Sequence, residues 1–166
     1  MPKSDQGVTN DRYQVIPRTL IFLVDGESVL LMKGAPTKRL WANQYNGIGG
    51  HIERGEDVLT AARRELREET GLEEVDLRLV GTIMIDAADH TGIALYVFKG
   101  QDAHGTLVGS DEGELEWIPV ARLHAYPLVE DLPVILPHVL SFKPDEAPFS
   151  ARYYYDQHDQ MQIVFA

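Results

Sequence analysis

The amino-acid sequence predicts an α/β fold, and three observations carry that reading. Two apolar runs, 19–24 and 29–32, flank the turn pair Asp25-Gly26, the pattern of a β-hairpin. Residues 58–70 are rich in helix formers, with Asp57 placed to cap the start and Gly71 to stop the end. Apolar runs at 77–85 and 93–98 then read as strands joined by the turn-rich segment 86–92.

The other elements follow in order. Residues 1–11 are polar, include Gly7 and Asn10, and are expected to form a disordered leader, with residues 12–166 as a single domain. Residues 34–45 form a polar connection containing Pro36 and Trp41, and Asn46-Gly47-Ile48-Gly49-Gly50 is a loop whose glycines let the backbone approach a ligand closely. Residues 115–118 read as a strand. Pro119 opens a short helix to residue 123, and residues 132–140 form a second helix interrupted by Pro137. Residues 151–155 and 161–165 pair as a terminal hairpin. Trp41 and Trp117 are read as packing residues, the commoner use of tryptophan.

Composition narrows the chemistry. With 166 residues, 44% of them hydrophobic, the chain is long enough to bury a core. A net charge of -11 argues against a nucleic-acid polymer as partner, because the phosphate backbone requires a basic surface. The lack of cysteine excludes disulfides, thiolate metal sites and cysteine nucleophiles. The polar start has no apolar secretory segment, and no run approaches the ~18 apolar residues of a membrane span, so a cytoplasmic protein without a membrane partner is expected.

The predicted helix 58–70 carries the candidate chemistry. Glu65, Glu68 and Glu69 are spaced i, i+3 and i+4 and share one face, beside an apolar stripe of Leu59, Ala62 and Leu66. A solvated acidic face is the bland alternative. However, Glu68 and Glu69 lie in the last turn, where the helix dipole disfavours an acid by roughly 0.3–1 kcal/mol. A bound cation reverses that penalty, and carboxylates without nearby histidine or cysteine suit Mg²⁺, or Mn²⁺ in its place. Arg64 lies one turn before Glu68 and can hold a carboxylate in position; its alternative is an ordinary surface ion pair.

The stretch GGHIERGEDVLTAARRELREETGL resembles the Nudix box, Gly-x5-Glu-x7-Arg-Glu-U-x-Glu-Glu-x-Gly-U with U a bulky aliphatic residue. Gly50, Glu56, Arg64, Glu65, Leu66, Glu68, Glu69, Gly71 and Leu72 fill every specified position. The resemblance implies the Nudix fold, an α/β/α sandwich around a mixed β-sheet. It also implies a metal site of Glu65, Glu68 and Glu69 with the Gly49 carbonyl, oriented by Arg64 and supported by Glu56. Catalytic roles are expected for Glu56, Arg64, Glu68, Glu69 and Glu112.

Residues outside the box bear on the subclass. Asn46-Gly47-Ile48-Gly49-Gly50 resembles the NGxGG segment of MutT-like oxidised-purine nucleotide diphosphatases, in which the asparagine contacts the purine; an asparagine that shapes the turn is the other reading. Ser110-Asp111-Glu112 resembles the segment that gives those enzymes a further metal-binding acid, here Glu112, and a hydrophilic turn is the alternative. Glu130-Asp131 resembles the acidic pair that grips the oxidised base, although Pro133 departs from the pattern and helix capping by Asp131 competes. His51 replaces the lysine frequent in MutT-like chains and reads as an exposed histidine. The motif of reduced-nicotinamide hydrolases is absent, and Ala87 stands where ADP-ribose pyrophosphatases carry a proline.

The resemblance therefore implies Mg²⁺-dependent hydrolysis of a nucleoside triphosphate to monophosphate and pyrophosphate, with an oxidised purine such as 8-oxo-dGTP as candidate, by a monomer or homodimer. The alternatives are a Nudix hydrolase of another nucleoside diphosphate-linked substrate and a non-catalytic nucleotide-binding module. Such modules commonly lose box acids, and this chain keeps Glu56, Glu65, Glu68 and Glu69.

Overall fold

The computed structural model describes residues 2–9, 11–101, 103 and 105–166. Strand β1 (Gln14–Asp25) and strand β2 (Ser28–Gly34) form the expected hairpin, but only Leu23 to Asp25 pair with β2, opposite Leu30 to Ser28. Beyond that point the strands diverge and the segment after the connection fills the gap. The two-residue strand β3 (Tyr45–Asn46) pairs with β2, while Ile48 exchanges both backbone hydrogen bonds with Ile21 of β1. The Thr19 amide donates to the Gly50 carbonyl at 2.9 Å and the Ile52 amide to the Pro17 carbonyl at 3.1 Å. The glycine-rich loop is thus built into the sheet, with Ile48, Gly50 and Ile52 bonded to the backbone of β1.

On its other edge β1 runs parallel to β5 (Thr91–Gln101) from Gln14 to Leu23. Strand β4 (Asp76–Ile85) pairs antiparallel with β5 and parallel with β7 (Phe149–Tyr155), which pairs antiparallel with β8 (Met161–Phe165). Strand β6 (Gly113–Pro119) lies antiparallel along β2. The sheet is therefore mixed. The terminal hairpin forms as expected, and its parallel attachment to β4 extends the sheet.

Side chains alternate across the strands and feed two apolar layers. Ile21, Leu23 and Leu30 face helix α1 (Val58–Thr70), packing with Ala62 and Leu66. Leu20, Phe22 and Leu31 face helix α2 (Leu132–Ser141), packing with Leu132, Ile135 and Val139. Strand β4 serves both layers through a bulge: Leu79 is opposite Phe98 and Gly81 opposite Val97, so Val80 is an extra residue. The insertion flips the later side chains, placing Leu77 under α1 and Ile83 under α2. This is the expected α/β/α sandwich.

Helix α1 ends as its sequence predicts. The Asp57 carboxylate accepts from the amides of Leu59 and Thr60, and Gly71 takes φ 75 with its amide donating to the Arg67 carbonyl. Helix α2 continues through Pro137, an exposed residue whose missing amide leaves the helix one hydrogen bond short. The short helix after Pro119 is a 3₁₀ turn, Val120–Ala125. Of the expected leader, Met1 and Asn10 lie outside the described residues, and Lys3–Gln6 form a 3₁₀ turn. Among the described residues no helix is long and apolar enough to cross a membrane.

Candidate active site

The glycine-rich loop meets α1 at close range. Gly49 takes φ 144, and a Cβ there would lie 2.2 Å from the Thr19 carbonyl oxygen, so only glycine allows the loop to lie against β1. A Cβ on Gly50 would lie 2.6 Å from the Glu65 carboxylate. The Gly49 amide donates to Glu69 Oε2 at 3.1 Å, which ties the loop to the last turn of α1.

Arg64 organises the acids. Its Nε and Nη2 donate to the two oxygens of Glu56 at 2.7 and 2.9 Å, a bidentate fork. Nη1 donates to Glu65 at 2.8 Å and Glu68 at 3.2 Å, and Nη2 also donates to the His51 carbonyl at 3.0 Å. The side chains of Arg64, Glu56 and Glu65 are 22%, 17% and 14% exposed, so this is a sheltered network and not the surface ion pair of the alternative reading. The Arg64 guanidinium, with the Glu53 amide assisting, holds the Glu56 carboxyl down at about 2. His51 itself is exposed, as its sequence context suggests.

Glu69 has the opposite environment. It is 6% exposed, and burial pushes its carboxyl up to about 7; the Gly49 amide draws it down, and Glu112 and Glu65 raise it further. Glu112 sits in the turn before β6, where Lys38 donates to it at 2.7 Å. Among the described residues no three carboxylate or imidazole groups are gathered tightly enough to hold a metal ion. Glu65 and Glu68 bend toward Arg64 and Glu112 toward Lys38. The donor set is nonetheless all oxygen, and a hard divalent cation would relieve the cost of keeping the buried Glu69 carboxyl ionised beside Glu65 and Glu112.

A cleft of about 580 Å³ joins these acids to the rest of the site. Glu65, Glu69, Glu112 and Gly49 line it together with Asn46, Glu130 and Asp131, and Leu20, Ile93 and Leu95 supply apolar wall. Asn46 Oδ1 accepts from the Gly47 amide at 2.7 Å, so its oxygen shapes the turn and its amide group is left to donate. Asp131 occupies the N-cap position of α2 in αR conformation, and its side chain makes no capping bond. The capping alternative is thus overturned: the side chain faces the cleft, where burial pushes its pKa up. Trp41 departs from the packing expected of it, being 48% exposed at the cleft wall, whereas Trp117 packs against the α1 layer.

Comparison with known proteins matches residues 15–139 to the NUDIX domain family. The chain is a Nudix-family hydrolase. An oxidized purine nucleoside triphosphate hydrolase from Danio rerio is 32% identical over 106 residues, 63% of this chain and 67% of the relative. A CTP pyrophosphohydrolase from Escherichia coli (strain K12) is 27% identical over 114 residues, 68% of this chain and 84% of the relative. A crystal structure of a MutT protein from Bacillus halodurans superposes with a TM-score of 0.75 at 23% identity, covering 90% of this chain and 97% of that one, a likeness of fold.

In this Nudix hydrolase the cleft also draws on residues that sequence reasoning passed over. Arg18 of β1, Tyr153 of β7 and Met161 of β8 all line it. Nothing local marks them, since a buried tyrosine on a strand reads as core until the topology shows what the strand borders. Glu68, at 53% side-chain exposure, stands outside the cleft lining in the direction of Arg64.

Proposed function

We propose that this Nudix hydrolase cleaves a purine nucleoside triphosphate, with an oxidised purine such as 8-oxo-dGTP preferred, to the monophosphate and pyrophosphate. The observation that carries the reading is one cleft that joins two of the box acids, Glu65 and Glu69, to Asn46, Glu130 and Asp131. The Danio rerio relative, named for oxidised purine triphosphates, supports the substrate class.

Glu65, Glu68, Glu69, Glu112 and the Gly49 carbonyl are the groups that would hold Mg²⁺, or Mn²⁺ in its place. When bound, the ion supplies charge neutralisation for the polyphosphate and a water of lowered pKa. The chain's own residues do the positioning. Arg64 locks Glu56 and fixes Glu65 and Glu68, and the Gly49 amide holds the Glu69 carboxylate against the glycine-rich loop. Asn46, Glu130 and Asp131 contact the base. The rest of the proposal is a cytoplasmic enzyme, monomer or homodimer, that acts on free nucleotides.

The test is a panel of 8-oxo-dGTP, dGTP, dATP and CTP assayed with Mg²⁺, with pyrophosphate and orthophosphate measured separately. Fastest pyrophosphate release from 8-oxo-dGTP is expected. CTP as best substrate would favour the reading suggested by the Escherichia coli relative, and no turnover of any triphosphate would refute the proposal.

A further inference from the structure

Tyr153 is 1% exposed, and among the described residues its hydroxyl makes no hydrogen bond of ordinary geometry, its one polar neighbour being the Asp131 carboxyl, which it approaches without good alignment. Buried hydroxyls in folded proteins are nearly always paired, and phenylalanine would fill the same apolar space without leaving a polar atom unsatisfied. The ring is fixed from both sides, because Tyr153 is in register with Ile85 on β4 and Ile163 on β8. The hydroxyl therefore cannot reach solvent by a local swing of the chain. It borders the cleft beside Asp131 and Glu130.

We propose that the Tyr153 hydroxyl is a specificity-determining hydrogen-bond donor that, next to Asp131, reads the base edge of the bound nucleotide. This rests on the triphosphate reading above. The side-by-side phenol and carboxyl present a donor and an acceptor. That pair complements a lactam edge, a carbonyl beside an N–H, which guanine carries and which oxidation at C8 creates a second time. Adenine and cytosine present no such edge in their usual forms. Burial and the neighbouring Asp131 both hold the phenol well above its ordinary titration range, so it keeps its proton at neutral pH.

Tyr153→Phe tests the assignment with readouts of stability, binding and turnover. The melting temperature of the unliganded protein should stay level or rise, because the buried polar atom that is removed makes no hydrogen bond of good geometry. The thermal shift induced by 8-oxo-dGMP without metal should shrink. The kcat/KM for 8-oxo-dGTP and dGTP should fall roughly tenfold or more, mainly through KM, with values for dATP and CTP within about twofold of wild type. A lower melting temperature with an equal loss on every substrate would make the hydroxyl structural and overturn the inference, as would unchanged selectivity. If the wild type hydrolyses no triphosphate, the functional reading fails and the inference with it; if only the variant's selectivity is unmoved, the inference fails alone.

Discussion

Replacing Glu69 by glutamine removes a charge from the most buried acid of the site and should stabilise the metal-free protein. The side chain is 6% exposed, and its one hydrogen bond, from the Gly49 amide at 3.1 Å, survives because glutamine keeps an acceptor oxygen. A carboxyl that titrates at about 7 in the fold and at 4.5 when solvated destabilises the ionised folded form by about 3 kcal/mol. Because the folded value is the higher one, the wild type has its full stability below pH 4.5 and loses it as pH rises toward 7. The glutamine variant does not titrate there. Its advantage should be near zero at pH 4, grow through pH 5 and 6, and level off above pH 7 at about 3 kcal/mol, or some 6–12 °C in Tm for a chain of this size. Thermal unfolding in chelator across that pH range measures the difference directly. Added Mg²⁺ should raise the wild-type Tm at pH 8 and barely move the variant. A constant gap across pH, or a variant less stable than wild type at pH 8, would refute the argument.

Two further substitutions probe the positioning of the site. Arg64→Lys keeps the charge but cannot serve Glu56, Glu65, Glu68 and the His51 carbonyl together, so kcat should fall on the order of 100-fold while the fold is retained; steady-state kinetics beside circular dichroism checks this. Asn46→Ala leaves the Gly47 amide unpaired and should lower kcat/KM for all nucleotides by about tenfold. Asn46→Asp keeps an acceptor for the Gly47 amide but replaces the donor with a carboxylate; both variants lack the donor, so in both the purine-to-pyrimidine ratio of kcat/KM should fall below that of wild type, and an unchanged ratio would count against a base contact.

Much of this architecture can be read from local pattern. Helix α1 was legible because its cap, stripe and terminating glycine agree, and the box acids because their spacing fixes them on one face. The splaying of β1 from β2 was not legible, since it depends on a later segment inserting between them. The bulge at Val80 was hidden because both side chains around it are apolar and either face is a core. At Asp131 residue type before a helix favoured capping over the cleft, and only the backbone conformation at the start of α2 decides against it. Trp41 shows the limit of residue-type priors: it sits in the connection after β2, 48% exposed, outside the packed interior in which tryptophans usually lie.

The parallel pairing of β4 with β7 has an evolutionary consequence. Through it the last hairpin lends Tyr153 and Met161 to the cleft, although both lie beyond the stretch 15–139 that matches the family. The Arg64 carboxylate assembly and this wall are written in separate parts of the gene and meet only across the sheet. On the proposed role of Tyr153, mutations in the hairpin would retune which nucleobase is accepted while the Arg64 assembly inherits its geometry unchanged, so selectivity would drift without passing through an inactive ancestor.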